Sequence, residues 1–189
     1  MLGRSTETHC VAILFKLLYE LNLWRGTAEI RRKLIEGMGH LAIMTGLSDD
    51  LKSKHIPEFL WETCWHFVGP DEIPMDREDV AHMKRCLDVM ETLAEFSCQY
   101  ERGRETIGNV TSNTENLFEI ALWYSNEVLA DKTVGIYEKA MKACKSEKVL
   151  FTHGLRSLHA SANRMLKTLH EQKPRWRSIE TRLRALSFK

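Results

Sequence analysis

The chain has 189 residues, 43% of them hydrophobic and 28% charged, and a formal net charge of +1. This length accommodates one domain with a sizeable core, and the composition is that of a folded globular protein rather than a low-complexity chain. The near-neutral balance argues against whole-molecule attraction to nucleic acid, and no apolar run reaches the roughly 18 residues of a membrane span.

In chain order, the first expected element runs through CVAILFKLLYEL. Val11, Leu14, Phe15 and Leu18 follow helical spacing there, and Ile13, Leu17 and Leu21 widen the stripe into a buried helix. Lys16 interrupts the apolar run and no small-residue cleavage site follows, which argues against a signal peptide. A second helix begins at a Thr27 cap and puts Ile30, Leu34, Ile35 and Met38 on one face, with Gly37, Gly39 and Gly46 weakening its end. Residues 47–58 read as a short helix and a turn, and Pro57 suits the first turn of the helix that carries FLWETCWHFV. A loop with Pro70 and Pro74 leads to a helix over residues 76–100, capped by Asp76. ERGRETIGNVTSN reads as a short helix and turn, which places the glycosylation tripeptide Asn109-Val110-Thr111 in a loop. Asn113 or Thr114 then opens a helix through NLFEIALWYSNEVLA, and DKTVGIYEKAMKACKS forms another short one. Residues 147–172 form a long helix with Leu155, Leu158, His159 and Ala162 at core spacing, and a basic helix follows Pro174. No alternating β-branched runs are joined by a hairpin turn, so the expected class is all-α with about eight to ten helices.

Two of these helices share a pattern. In FLWETCWHFV, Leu60, Thr63, Cys64 and Phe67 stand where Val89, Thr92, Leu93 and Phe96 stand in DVMETLAEFS. Each set makes an apolar stripe with a small residue in the middle, as stacked helical repeats require, because one unit cannot bury its own face. Over residues 47–125 the chain resembles an armadillo-type repeat: a polar turn, a short helix, a long helix with an Ala-Leu-x-Asn-Leu core, and a charged loop ending in Arg and Ile. Thr92-Leu93-Ala94-Glu95-Phe96-Ser97-Cys98 occupies the core place, and Arg104 and Ile107 follow. The resemblance implies one armadillo-like right-handed superhelix. It would have capping helices in residues 1–46, a repeat-like core in 47–145, and a long helix with a basic terminal helix in 146–189.

The resemblance also implies a groove. In peptide-carrying armadillo proteins an Asn and a Trp from each long helix clamp an extended peptide. Here the Asn places hold His66 and Glu95, and the Trp places hold Glu62 and Glu91. The clamp is absent, so nuclear-import-type carrying is not implied. A floor of Glu62, His66, Glu91 and Glu95 would suit a basic or helical partner, against the plainer alternative of solvated helix faces. Trp61 and Trp65, four residues apart at the stripe's edge, either anchor a partner or pack on the next repeat, where Trp123 and Tyr124 would meet them.

Catalytic and metal chemistry finds little support. The five cysteines, Cys10, Cys64, Cys86, Cys98 and Cys144, are odd in number and widely spread, which fits reduced core thiols in the cytoplasm or nucleus. Cys64 with His66, and His82 with Cys86, lack the paired spacing of a structural zinc site. No phosphate loop, nucleophile elbow or His-Glu-x-x-His occurs, so neither enzyme nor cofactor is expected.

Charge is uneven along the chain: residues 71–101 hold nine acids against three bases, and residues 164–189 eight bases against two acids. The tail either docks something acidic through Arg175, Trp176, Arg177, Arg182 and Arg184, or caps the stack through Ile179, Leu183 and Leu186 with its bases in water. The leading expectation is a non-catalytic scaffold or adaptor that binds another protein's peptide or helix, with a homo-oligomer also open. The alternatives are a nucleic-acid-associated domain that uses the basic helix, or a helical regulator of a signalling enzyme.

Overall fold

The computed structural model describes residues 28–47, 56–68, 77–100, 103–146, 152–172 and 176–187. These form seven α-helices: α1 (Ala28–Leu47), α2 (Ile56–Val68), α3 (Arg77–Glu95), α4 (Gly103–Trp123), α5 (Glu127–Ser146), α6 (Thr152–Gln172) and α7 (Arg177–Leu186). A 3-10 turn (Ser97–Gln99) follows α3, and no strand occurs among the described residues. The all-α class is borne out. The expected helix at residues 11–21, the caps at Thr27 and Asp76, and Pro70 and Pro74 lie outside the described residues.

Helix α1 runs through Gly37 and Gly39 without a break. Each interior glycine costs about 1 kcal/mol relative to alanine. Full burial of Ile35, Met38 and Leu41 outweighs this, at about 1.5–3 kcal/mol per side chain. In α2 the buried stripe is Pro57, Leu60, Trp61 and Cys64, at i, i+3, i+4 and i+7, while Thr63 is only half-buried. Trp61 is therefore central to the stripe rather than beside it.

The expected break at Asn113 does not occur: α4 is one helix of 21 residues. Its buried face is continuous through Thr106, Ile107, Val110, Thr111, Thr114, Leu117 and Phe118. The Thr114 hydroxyl, a cap candidate in the sequence, instead bonds back one turn to the Val110 carbonyl, and Thr111 does the same to that of Ile107 at 2.8 Å. Asn109-Val110-Thr111 accordingly lies within a helix, with Val110 and Thr111 buried, and not in a loop.

Contacts between helices skip along the chain. α3 packs most extensively on α5 and α1, and α5 also meets α7. α4 packs on α6 and, more lightly, on α2. Odd- and even-numbered helices thus make two rows, joined where α2 meets α3, α4 meets α5 and α6 meets α7. Two pairs within the rows are parallel, α3 with α5 and α4 with α6. Lys132 meets Asp88 and, seven residues on, Lys139 meets Glu95. Likewise a methyl at Gly154 would touch Ile107, while Ser161 and Arg164 bond to Glu115. The helices α2 and α3, which carry the shared pattern of FLWETCWHFV and DVMETLAEFS, lie in different rows and pack on each other. Tyr137 ties the rows together by donating its hydroxyl hydrogen to the Leu158 carbonyl at 2.9 Å.

Candidate protein-interaction surface

The exposed side of the odd-numbered row carries most of the residues that the sequence marks. α3 presents Asp88, Glu91 and Glu95 along one strip, because positions 88, 91–92 and 95 fall outside the Cys86, Leu87, Met90, Leu93 core stripe. This acidic strip is not a bare floor. Lys132 of α5 binds Asp88, which holds the lysine ammonium above its usual range against the opposing effect of burial, with Glu91 and Asp131 adding to the pull. Lys139 binds Glu95 at 3.0 Å. Arg182 of α7 clamps Glu138 with two hydrogen bonds, Nε at 2.9 Å and Nη2 at 2.7 Å, and reaches Asp131 as well. Glu138 keeps the guanidinium strongly charged, and Asp131 and Glu91 add to this. Gly135 leaves room at this junction: a Cβ there would lie 3.6 Å from the Glu91 carboxylate and 3.7 Å from Arg182. The result is a ladder of charge across α3, α5 and α7.

Several sequence-based assignments change accordingly. Glu95 is used inside the fold, and Glu91 faces the bases of the ladder. Glu62 is exposed on α2, in the other row, so it does not continue the strip formed by Glu91 and Glu95. Trp61 is 1% exposed and cannot face a partner; its anchor role is withdrawn because its ring fills the α2 core stripe. Trp65 is half-buried against the core. His66 belongs to α2, but its side chain lies outside the described residues, as does Arg175. Trp123 and Tyr124 are not the packing partners of the α2 tryptophans, for both are exposed.

The basic tail is likewise largely internal. Arg182 is held on α5, and Arg184 bonds to Glu180 at 2.7 Å, with His170 on the same carboxylate at 2.9 Å. These contacts lower the Glu180 carboxyl below its usual range, Arg184 first and His170 second. Trp176 is buried at the start of α7, and Ile179, Leu183 and Leu186 are buried beneath it. Arg177 is exposed.

What remains open on this side is a groove of about 330 Å³ between α1 and α3. Its floor is the buried pair Ile35 and Val89, with Gly39 between them. A methyl at Gly39 would stand 3.8 Å from Val89, so the missing side chain is what keeps the groove deep. Its rim mixes Glu36, His40, Arg85, Asp88 and Thr92. Exposed Ile43 also lines the groove, and Met44 and Leu47 are exposed nearby at the C-terminal end of α1. Sequence reasoning placed α1 correctly but took its glycines as helix weakeners rather than as groove formers. The available signal was the pair of large apolar residues, Ile43 and Met44, set off the Ile35–Met38–Ala42 stripe.

The four thiols among the described residues are core groups. Cys64 pairs with Cys86 and Cys98 with Cys144, the latter at 3.4 Å between sulfurs. Burial, and then the neighbouring thiol, push Cys64 well above the usual thiol range; for Cys144 the Cys98 contact leads and burial follows. Both shifts favour the protonated thiol at Cys64 and Cys144. Among the described residues no three His, Cys, Asp or Glu side chains gather as a metal-holding group. No helix of the described residues is long and apolar enough to cross a membrane. No family model matches the chain, and neither a curated protein nor a solved structure matches it.

Proposed function

We propose that the chain is a non-catalytic interaction scaffold, an armadillo-like stack of helices that binds an amphipathic helix of a partner protein in the groove between α1 and α3. The observation that carries this reading is the apolar lining of the groove, Ile35 and Val89 around Gly39 with exposed Ile43 beside them. A groove between two helices with an apolar floor and a mixed-charge rim takes the apolar face of a third helix, with the rim setting register and orientation. The two rows of helices support the armadillo-like reading, since alternate elements stack and the pairs α3–α5 and α4–α6 are parallel. Partner recognition moves from the acidic strip to the groove, with Asp88 common to both. The protonated, buried thiols fit a cytoplasmic or nuclear location. The nucleic-acid alternative loses ground because Arg182 and Arg184 are already bound to carboxylates.

The test is a selection of helical peptides from a displayed library on the wild type, with each peptide then measured against Gly39→Leu and Gly39→Ala. A leucine side chain fills the groove, whereas a methyl meets Val89 only at ordinary contact distance. Peptides that bind the wild type and Gly39→Ala but lose about tenfold or more on Gly39→Leu place recognition in the groove. Equal binding to all three rules it out.

A further inference from the structure

The turn between α4 and α5 reads LWYSNEV, and it is built to be rigid. Ser125 takes the left-handed conformation, with φ of 51°, at the position where glycine commonly ends a helix. The Asn126 amide bonds to the Ala121 carbonyl at 2.8 Å and the Ser125 amide to that of Leu122 at 3.0 Å, which closes α4 in a Schellman motif. The Asn126 side chain then accepts from the Leu129 amide at 3.1 Å and caps α5. On this fixed corner Trp123 is 80% exposed, Tyr124 52% and Val128 47%. Large aromatics held in water on an ordered backbone are unusual and mark contact sites.

Along the chain between Arg104 and Lys132 the charge has one sign. From Glu105 to Asp131 the chain carries five carboxylates and no Lys, Arg or His. Glu115 is taken by Arg164 and Asp131 by Arg182. Glu119 and Glu127 are exposed and meet no base among the described residues. Glu119 lies one turn before Trp123, on the same face of α4, and Glu127 opens α5 beside Val128.

The geometry points to a second docking site at this corner, which receives an arginine-bearing segment of a partner protein. The indole face of Trp123 takes a guanidinium by stacking and cation–π attraction, and a flanking carboxylate takes its N–H groups. Tyr124 and Val128 receive the apolar neighbour of that arginine. Arginine is favoured over lysine because a planar fork stacks and bonds at once, which a compact ammonium cannot. The carboxylates repel anionic lipid and nucleic acid alike. The corner is independent of the groove between α1 and α3, and either site stands without the other.

The experiment measures fluorescence anisotropy of labelled peptides of alternating arginine and leucine, their lysine counterparts and their glutamate counterparts, at physiological salt. The wild type is expected to bind the arginine peptide best, and Trp123→Ala and the double variant Glu119→Gln/Glu127→Gln are each expected to bind it roughly tenfold or more weakly. Trp123→Phe retains part of the affinity, and Glu62→Gln, an exposed carboxylate elsewhere, retains all of it. Melting temperatures of the variants report that each is folded. Unchanged arginine-peptide binding by Trp123→Ala overturns the proposal, as does equal binding of the glutamate peptide. Two further results overturn it: a dimer of the wild type that Trp123→Ala dissociates, and binding to anionic vesicles that the same variant abolishes.

Discussion

Trp61 and Trp123 are the same residue in opposite circumstances. Trp61 sits in α2 at i+4 from Pro57 and i−3 from Cys64, and all three are buried. Trp123 ends α4 one position past buried Leu122, four past exposed Glu119 and seven past exposed Asn116. One indole completes a core stripe and the other extends a polar one. The contrast shows that residue type alone does not announce function; an apolar residue in a polar row does. The charges teach the converse. The acids of α3 and the bases of α7 look like separate binding strips along the chain, yet α5 meets both, Lys132 and Lys139 taking Asp88 and Glu95, and Asp131 and Glu138 taking Arg182.

The sharpest way to break this contrast is Trp61→Ala. Removing a fully buried indole is expected to cost about 3–5 kcal/mol, read as a lower urea midpoint. A loss no greater than that for Trp123→Ala would mean that Trp61 is not a core residue. Arg182→Met tests the ladder next. It leaves Asp131 and Glu138 without their shared base and Glu91 nearby, and the expected loss is about 2 kcal/mol, limited by the partial exposure of the guanidinium. Adding Glu138→Gln to that variant recovers part of the loss; no recovery would show that the clamp contributes little.

How far the sequence speaks follows from the same residues. Leu60 with Cys64 and Val89 with Leu93 are legible as core because helical spacing is a local property, and both pairs are buried. The break expected at Asn113 fails because threonine serves equally as a cap and as an interior residue bonding back to the preceding turn, and only the packing of α4 decides between them. The fate of the charged strips depends on partners 44 residues away, such as Glu95 and Lys139, which no local pattern reports. Trp123 was legible in principle: Phe118, Ala121 and Leu122 already fill the stripe, which leaves position 123 in the row of Asn116 and Glu119.

Alkaline pH separates core from surface with a smaller effect. Burial raises the Cys64 thiol above its ordinary 9.0 and the Tyr137 hydroxyl above its ordinary 10.0. Because the folded values lie above the unfolded ones, the unfolded chain ionises first. Stability is complete below about pH 9 and falls as pH rises beyond it, by up to about 1.4 kcal/mol per pH unit for Cys64. Urea midpoints measured on either side of this boundary should show the decline, and Cys64→Val should make it shallower. A midpoint that stays level would place the thiol in water. Gly39→Ala acts in the other direction, with an expected gain of about 0.5–1 kcal/mol from helix propensity, since the new methyl meets only ordinary contact. Gly154→Ala should gain less or lose, because its methyl would come within 3.1 Å of Ile107.

The smallest expected effect is the most informative. Trp123→Ala should change stability by less than about 0.5 kcal/mol, because an indole that is 80% exposed gives up little contact with the fold when it is removed. Alanine is the better helix former at the last residue of α4, which offsets part of that loss. A small loss would leave the indole free to serve the docking site proposed at this corner. The measurement is a pair of urea titrations, wild type and variant, read by circular dichroism so that the lost fluorophore does not bias the comparison. A loss near that of Trp61→Ala would mean that the corner is a structural element, and its aromatic residues would then be accounted for without any partner.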